Sequence, residues 1–297
     1  MPSIAATLQK AISVIDRLDA EVILALVLGR TREYLSAHSE QSLEPQTTRR
    51  FHTLVAKRKT GVPLAYLTGH KKFYGLDFFV NRSTLIPRGE TELLVELVGD
   101  RLQKETEPIA LVDIGAGTGC IPIAIIKTLK HKNIKTLSSA MATDISAPAL
   151  RVAKKNAKFH GVNVTLCRGD LLDPIFKRKR LLQKCSRLII TANLPYLTRT
   201  QYESAPSIQH EPCRALVAED EGLALYKKLL KQISILTTSG QFADPHLDAY
   251  LEIDPAQVPA LSRQIHAIFP SANVSIHKDL AGRNRLIHIR IHSHSTS

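Results

Sequence analysis

Two short segments of the sequence carry residues whose types and spacing could do chemistry, Leu111–Gly119 and Asn193–Tyr196. The first reads Leu-Val-Asp-Ile-Gly-Ala-Gly-Thr-Gly and predicts a strand, a glycine loop and then a helix. Glycines at such a junction allow a sharp turn and let a ligand approach the backbone closely. The second segment follows the apolar strand predicted over Leu188–Thr191 and indicates a tight turn. We therefore expect the first loop to hold a cofactor and the second to present a planar amine or amide nitrogen to it.

Two acidic residues strengthen the prediction of a cofactor site. Asp144 is predicted to end the next strand, 25 residues after Gly119, where its carboxylate can accept hydrogen bonds from both hydroxyls of a ribose. Asp170 is predicted to end the third strand and to meet an adenine edge. The alternative is that both carboxylates only cap helices. A glycine loop and two carboxylates at three consecutive strand ends favour a ligand-binding site instead.

The spacing of the glycine loop indicates which cofactor it suits. A nicotinamide-binding loop reads Gly-x-Gly-x-x-Gly, whereas this chain has Gly-x-Gly-x-Gly preceded by Asp113. An acidic residue so close to the loop suits a cationic cofactor better than a pyrophosphate. The loop resembles the S-adenosylmethionine loop of Rossmann-like methyltransferases.

The segment Asn193-Leu-Pro-Tyr196 could orient a nitrogen that is a poor nucleophile because its lone pair is delocalised. The Asn193 side-chain oxygen can accept one N–H hydrogen bond and the Leu194 carbonyl the other, which leaves the nitrogen facing a sulfonium methyl group. Pro195 stiffens the loop, and Tyr196 offers a ring face to a flat group. The segment resembles the (Asn/Asp/Ser)-Pro-Pro-(Tyr/Phe) motif of methyltransferases that act on such nitrogens. The alternative is a plain turn.

The pattern of apolar residues predicts the elements that position these loops. From about residue 109 onward, strand and helix patterns alternate, which predicts an α/β fold with a mostly parallel, doubly wound sheet. Residues 1 to about 60 predict a bundle of three amphipathic helices, the second capped by Asp19 and the third opened by Pro45. Phe73–Val80 has the aromatic and β-branched content of a strand pair.

Composition narrows the class of protein further. The chain has 297 residues, a formal charge of +13 and four widely spaced cysteines, so we expect no metal site and no disulfide framework. The charge favours transient proximity to RNA or the ribosome, but an inert basic surface explains it equally well. The densest basic run, Lys177–Arg180, could be a nuclear signal or, in the favoured interpretation, a solvated loop.

No apolar run could span a membrane and no signal peptide is apparent, which predicts a cytoplasmic protein. We expect a monomer.

Several longer segments resemble the peptide chain release factor glutamine methyltransferase family, the protein-(glutamine-N5) methyltransferases. The most specific is Ile-Pro-Arg-x-Glu-Thr-Glu, within Leu85–Glu92. The other matching segments are Leu18–Gly29, Gly61–Gly69, Phe73–Gly75, Glu211–Pro212, Ala215–Leu216, Glu221–Leu223 and Asp279–Arg283.

This resemblance implies methylation of the glutamine in the Gly-Gly-Gln loop of a bacterial-type release factor, with S-adenosylmethionine as cofactor. It also implies a helical substrate-docking domain over residues 1–70, a linking β-hairpin over 71–88 and a methyltransferase domain over 89–292. The sequence pattern itself predicts a disordered tail over 293–297. The implied catalytic residues are Asn193 and Tyr196, and the implied substrate-binding residues are Asn193, Leu194, Pro195 and Tyr196. The implied cofactor-binding residues are Gly115, Ala116, Gly117, Thr118, Gly119, Asp144, Asp170, Leu171 and Asn193.

Three positions depart from the family pattern. Leu194 stands where the family has the first proline of its motif, and Gly89 stands where it usually has another proline, which predicts less rigid backbone at both places. Leu171 replaces an aromatic residue often found beside the adenine, which predicts weaker stacking on the cofactor.

Two other functions remain open from the sequence. Asn-Leu-Pro-Tyr is also the form found in ribosomal RNA adenine N6-dimethyltransferases, so the chain could act on adenine in RNA or DNA. Those enzymes carry their helical domain after the cofactor motif, whereas here it comes first. The chain could also be a non-enzymatic binding module on an inactive methyltransferase fold, but Asp113, Asp144, Asn193 and Tyr196 are all intact.

Overall fold

The computed structural model describes residues 1–178, 185–238 and 246–292. Contacts divide the chain into two compact units: Met1–His70 together with Pro206–His210, and the remainder. The sequence indicated a division near residue 70 but not that residues 206–210 belong with the first unit. The predicted tail at 293–297 and the end of the Lys177–Arg180 run lie outside the described residues.

The first unit contains five helices in its described part, so the prediction of three was wrong. They are α1 (Ile4–Ile12), α2 (Arg17–Leu28), α3 (Arg32–Ala37), α4 (Pro45–Lys59) and α5 (Leu64–Thr68). With six and five residues, α3 and α5 are too short to show helical periodicity in the sequence. The apolar faces of the helices bury a core that includes Ile4, Ile23, Leu24 and Phe51.

Helix α2 begins one turn earlier than the sequence suggested. Its N-cap is Asp16, whose Oδ1 accepts a hydrogen bond from the Leu18 N–H at 2.7 Å, so the prediction of Asp19 as the cap was wrong. Asp19 lies inside the helix and binds the Arg58 guanidinium at 2.5 Å. The helix ends as its sequence predicts, at a glycine: Gly29 adopts the left-handed conformation there with φ of 63°.

The segment 206–210 is fixed to the first unit by His210. The His210 Nε2 donates a hydrogen bond to the Thr60 carbonyl at 2.9 Å. The ring also lies against Gly61, where an added Cβ would come within 3.2 Å of Nε2. This short segment, far away in the sequence, is therefore part of the packing of α4 and its following turn.

The second unit opens with a hairpin and is built on a seven-stranded sheet. The strands are β1 (His70–Phe73) and β2 (Leu76–Phe79) in the hairpin, then β3 (Ile109–Ile114), β4 (Leu137–Asp144), β5 (Thr165–Arg168), β6 (Arg187–Ala192), β7 (His246–Glu252), β8 (Asn273–Lys278) and β9 (Asn284–Ile291) in the sheet. The strand order is β5-β4-β3-β6-β7-β9-β8, and the strands run in one direction except for β9, which pairs antiparallel with both β7 and β8. The predicted mostly parallel sheet is confirmed.

Helices cover both faces of this sheet, as predicted. They are α6 (Glu92–Gln103), α7 (Cys120–His131), α8 (Ala147–Phe159), α9 (Asp173–Phe176), α10 (Arg199–Glu203), α11 (Ala224–Thr238) and α12 (Val258–Ile268). Because successive side chains of a strand point to opposite faces, Val112 packs with α11 and α12 while Leu111 packs with α6 and α7. Within the described residues, no helix is long and apolar enough to cross a membrane.

The strand order places a crevice at the centre of the sheet. The chain runs from β3 outward to β4 and β5, and then returns to β6 on the other side of β3. In open α/β sheets, ligands bind where the order reverses, beyond the carboxyl ends of the strands. Ile114 pairs in register with Ala192, so the glycine loop and the Asn193 loop leave the sheet side by side.

Candidate active site

A cavity of about 390 Å³ lies at this crevice, a size within the usual range for small-molecule sites. Ten of the predicted site residues line it: Gly115, Ala116, Gly117, Thr118, Asp144, Asp170, Leu171, Asn193, Leu194 and Pro195. Two predicted residues, Gly119 and Tyr196, are not among its lining residues. The structure therefore brings most of the predicted residues together around one space.

The glycine loop and the Asn193 loop are in direct contact. Gly115 has φ of +80°, and a Cβ added there would lie 3.2 Å from the Leu194 Cδ2. A side chain at this position would therefore press on the residue that occupies the first-proline position of the motif. Gly119 serves helix packing instead, because it precedes α7 and its added Cβ would lie 3.3 Å from the Ala153 Cβ on α8. The absence of a side chain there allows α7 to pack against α8.

Asp144 fixes the shape of the glycine loop while it lines the cavity. Its Oδ2 accepts a hydrogen bond from the Gly117 N–H at 2.9 Å, and its Oδ1 accepts one from the Ser146 N–H at 2.8 Å. Each carboxylate oxygen has two lone pairs, so both retain capacity for a further donor. The carboxylate can hold the loop and accept ribose hydroxyls at the same time.

Asp113 lies behind the loop rather than in the cavity. It is 1% exposed, its Oδ1 accepts the Thr191 hydroxyl at 2.7 Å, and its Oδ2 has no hydrogen-bond partner among the residues that the structure describes. Burial raises the pKa of Asp113 to about 7, and the nearby negative charge of Asp144 adds to this effect. A cation bound nearby would favour the charged form of this carboxyl group.

The residues that follow strand β5 form a second wall of the cavity. The Asp170 Oδ2 accepts a hydrogen bond from the Lys228 Nζ at 2.5 Å, so part of its acceptor capacity is already used. Leu171 is buried and has φ of 47°, a conformation that costs a branched residue energy. In this conformation Leu171 lines the cavity.

The Asn193 loop presents two acceptors. The Asn193 Nδ2 donates to the Thr91 Oγ1 at 3.0 Å, which turns the amide oxygen away from Thr91. The Leu194 N–H donates to the Tyr226 hydroxyl at 3.2 Å. Among the described residues, no hydrogen bond occupies the Leu194 carbonyl.

Tyr196 is held mainly by its backbone. Its carbonyl accepts a hydrogen bond from the Gln257 Nε2 at 2.8 Å, and its partly buried side chain packs against the core. Burial, with the charge of Glu252, raises the pKa of Tyr196 to about 12, so the phenol stays protonated near neutral pH. Its role in stacking on a substrate stays a prediction.

The sequence did not identify several residues that support the site. Arg88 lines the cavity and forms an ion pair with Glu211, a buried residue that also accepts the Ile86 N–H at 2.9 Å. The resemblance covered these residues as parts of segments but gave them no role.

Glu252 is a second unpredicted acid near the site. It ends β7 and is 2% exposed, and within the described part of the chain its Oε2 has no hydrogen-bond partner. Burial raises the pKa of Glu252 to about 7, although a hydrogen bond from Thr91 and the charge of Arg285 oppose the increase. In the sequence, Ala249–Ile253 predicts an apolar strand, and the single acid within it was the only sign of this residue.

The stability of the protein is expected to fall as the pH rises, because buried Asp113 and Glu252 must lose protons. Their pKa values of about 7 exceed the ordinary values of 3.8 and 4.5. A raised folded-state pKa stabilises the fold below the unfolded pKa, and this contribution is lost as pH rises through the folded pKa. At about 1.4 kcal/mol per pKa unit, ionisation of Glu252 lowers the free energy of unfolding by roughly 3 kcal/mol. Glu252→Gln cannot ionise, so the variant should not show this decrease.

Urea denaturation of the wild type and of Glu252→Gln at about pH 5 and about pH 8 measures this difference. The variant should gain stability relative to the wild type as the pH increases. Equal changes in the two proteins over this range would show that Glu252 ionises as it does in the unfolded chain.

The fold and the site together define a Rossmann-like methyltransferase, with S-adenosylmethionine as its cofactor. Residues 3–69 match the PrmC N-terminal domain, and residues 89–182 match the methyltransferase small domain. Among solved structures, the catalytic domain of hMettl16 in complex with MAT2A 3′UTR hairpin 1 is similar, with a TM-score of 0.52 at 14% identity over 88% of this chain and 85% of that chain. At this identity the likeness concerns the fold alone.

Curated relatives identify the family. The release factor glutamine methyltransferase of Bacillus anthracis is 30% identical over 276 residues, 91% of each chain. That of Moorella thermoacetica is 35% identical over 273 residues, 91% of this chain and 89% of the relative. That of Bacillus subtilis is 33% identical over 281 residues, 92% of this chain and 91% of the relative. The chain belongs to the release factor glutamine methyltransferase family.

The cavity fits S-adenosylmethionine. The backbone of the glycine loop forms one wall of the cavity. The Asp144 carboxylate lies beside it and can still accept further hydrogen bonds. Two further acids, Asp113 and Asp170, lie near the same strand ends, which suits a group that carries a sulfonium charge.

Proposed function

We propose that this protein transfers a methyl group from S-adenosylmethionine to the side-chain amide nitrogen of the glutamine in the Gly-Gly-Gln loop of a peptide chain release factor. Membership of the family supports the substrate class. The observation that carries the proposal is the arrangement at Asn193, whose amide nitrogen is engaged by Thr91 and whose amide oxygen is thereby left for a ligand. A primary amide has two N–H groups and needs two acceptors of this kind.

Two residues of the Asn193 loop supply the acceptors that this reaction needs. The Asn193 Oδ1 and the Leu194 carbonyl accept the two N–H groups of the glutamine amide, which fixes the plane of the amide. The cofactor supplies the electrophilic methyl group when bound. The amide nitrogen loses its proton after the transfer, so no strong base has to act first. Tyr196, with its pKa of about 12, is not a base at neutral pH.

A labelling experiment tests the proposed substrate. The protein is incubated with labelled S-adenosylmethionine and a release factor from the same organism, the same factor with its loop glutamine replaced by alanine, or ribosomal RNA. We expect label on the first factor and none on its variant. Label on RNA alone would overturn the protein substrate, and label on none of the three would indicate an inactive fold used for binding.

We expect Asp144→Asn to weaken cofactor binding by about 10- to 100-fold, because one of the two acceptor oxygens for the ribose is lost. Turnover at saturating cofactor should change much less. Isothermal titration with S-adenosylmethionine measures the binding. Asp279→Asn is a matched control, because the Asp279 carboxylate also accepts two backbone N–H bonds at 3.0 Å but is not among the residues that line the cavity. Equal affinities for the two variants would contradict the role of Asp144 in cofactor binding.

The remaining parts of the proposal concern partners and location. We propose that residues 1–70 dock on the release factor, that the basic charge of +13 brings the protein near the ribosome, and that the protein acts as a cytoplasmic monomer. Sedimentation of the full chain with and without release factor tests the stoichiometry. A stable dimer without the factor would contradict the monomer.

A further inference from the structure

Glu211 fixes one wall of the cavity from a distant part of the chain. Six residues of the segment 83–91 line the cavity, and Arg88 is one of them. Glu211 is 4% exposed. Its Oε2 accepts the Ile86 N–H at 2.9 Å, and its Oε1 pairs with the Arg88 Nη2. A buried carboxylate therefore sets the position of the Arg88 guanidinium.

The Arg88 guanidinium keeps donors for a ligand. The ion pair with Glu211 uses only Nη2, and the other guanidinium nitrogens carry further N–H groups. Among the described residues, no other hydrogen bond or ion pair engages this side chain. A guanidinium is planar and presents its N–H groups as a fork, which matches the two oxygens of a carboxylate. The group is thus held in place and still able to bind an anion in the cavity.

The charged residues of the cavity belong to different sides of β3. The carboxylates of Asp144 and Asp170 follow β4 and β5, on one side. Asn193 follows β6 on the other side, and its Nδ2 donates to the Thr91 Oγ1 at 3.0 Å. The Thr91 N–H in turn donates to the Arg88 carbonyl at 3.3 Å. Arg88 therefore belongs to the part of the wall next to the Asn193 loop.

S-adenosylmethionine has a matching distribution of charge. Its only anionic group is the carboxylate of its amino-acid part, which is attached to the same sulfur as the methyl group. With the ribose at Asp144 and the methyl group toward Asn193, the amino-acid part begins on the Asn193 side of the cavity. The carboxylate then meets the wall that carries Arg88.

Arg214 is the other arginine among the residues that line this cavity. It is exposed, and among the described residues it has neither a hydrogen-bond nor an ion-pair partner. Ordering a free arginine side chain costs conformational entropy when a ligand binds. Arg88 is already held by Glu211, so it is the better partner for the carboxylate.

We propose that Arg88 binds the carboxylate of S-adenosylmethionine, and that Glu211 is a positioning residue that holds Arg88 for this contact. Glu211 is not among the residues that line the cavity, so it acts through Arg88. The proposal goes beyond the proposed function, because it concerns the cofactor alone and holds whichever molecule receives the methyl group.

Two ligands that differ only in the carboxylate test the role of Arg88. Isothermal titration compares S-adenosylmethionine with decarboxylated S-adenosylmethionine, without release factor. We expect the wild type to bind the decarboxylated ligand about 30-fold more weakly, because charge-assisted hydrogen bonds are lost. Arg88→Gln should bind S-adenosylmethionine about 30-fold more weakly than the wild type does, with its affinity for the decarboxylated ligand changed less than about threefold.

Arg58→Gln is the matched control. Arg58 also pairs with an acid, and its side chain is 31% exposed against 33% for Arg88, but it does not line the cavity. It should keep the wild-type affinity for both ligands. Equal binding of the two ligands by the wild type, or equal weakening of both by Arg88→Gln, would overturn the proposal. Discrimination kept in Arg88→Gln but lost in Arg214→Gln would assign the carboxylate to Arg214 and overturn it as well.

Glu211→Gln tests the positioning role. The new amide can still accept the Ile86 N–H but lacks the charge that holds Arg88, so we expect about fivefold weaker binding of S-adenosylmethionine and little change for the decarboxylated ligand. The double variant Arg88→Gln/Glu211→Gln leaves no buried charge unpaired, which protects the fold, and it should bind like Arg88→Gln. A further fivefold loss in the double variant would show that Glu211 acts independently of Arg88.

These titrations keep the inference separate from the proposed function. If the affinities change as expected but no release factor is methylated, only the proposed function fails. If a release factor is methylated but Arg88→Gln binds both ligands as the wild type does, the proposed function stands and the role of Arg88 is overturned.

Discussion

A loss of turnover of about a thousandfold is expected when Asn193 is replaced by alanine. The variant removes the side-chain acceptor that orients the substrate nitrogen, and loss of one oriented partner in an active site commonly costs a factor of about 10² to 10³. It also removes the hydrogen bond to Thr91, so the loop loses one of its two supports. The measurement is single-turnover methylation of the release factor at saturating cofactor.

The control for this variant is Asn273→Ala, at an exposed position on β8. It should methylate at the wild-type rate. Thermal unfolding of both variants shows whether the fold is intact, and titration with S-adenosylmethionine should show a change in affinity of less than about tenfold for Asn193→Ala. Turnover within about threefold of the wild type in a folded Asn193→Ala protein would exclude Asn193 as the group that orients the substrate.

Replacing Gly222 by alanine is expected to destabilise the second unit by about 4 kcal/mol. Gly222 has φ of +82°, and its added Cβ would lie 1.9 Å from the Tyr196 carbonyl oxygen and 2.4 Å from the Gln257 Nε2. The Gln257 amide bridges the carbonyls of Tyr196 and Glu221 at 2.8 and 2.9 Å, and both bonds must break or move. The displaced backbone continues directly into the Asn193 loop, so activity should fall with stability.

Gly282→Ala is the matched control for this second variant. Gly282 has φ of +76°, close to that of Gly222, but no atom of the described residues lies within 4 Å of its added Cβ. It should cost only the conformational penalty of about 1 kcal/mol, without loss of activity. Urea denaturation measures both variants. Equal losses of stability would mean that backbone conformation, rather than the contact with Tyr196, decides the cost.

The cofactor side of the site could be predicted because its signals are local. The glycine loop follows a continuous apolar strand, and Asp144 ends the next one, so the strand and the residue after it are adjacent in the sequence. The parallel sheet then brings the strand ends together without further information. The fold class and the main strands of the second unit follow from the same alternation of patterns.

The supports of the Asn193 loop could not be predicted, because they are formed by distant contacts. Thr91 and Asn193 are separated by 102 positions, and Leu194 and Tyr226 by 32. In the sequence, Glu252 is one acid at the end of an apolar strand, and no local pattern states that its carboxylate is buried. For Tyr196 the motif predicted a ring face toward the substrate, which stays a prediction, but it gave no sign that Gln257 would bind the Tyr196 carbonyl or that the ring would also pack against the core.

The membership of residues 206–210 in the first unit has a practical consequence for hybrid proteins. A hybrid made by fusing two members of this family at residue 70 would combine a foreign helical bundle with the host's own His210. That ring must then meet the Thr60 carbonyl and the backbone at Gly61 of the foreign bundle. A compatible graft has to transplant both pieces of chain together. Sequence change at His210 is therefore expected to be tied to change around residues 60 and 61, although 150 positions lie between His210 and Thr60.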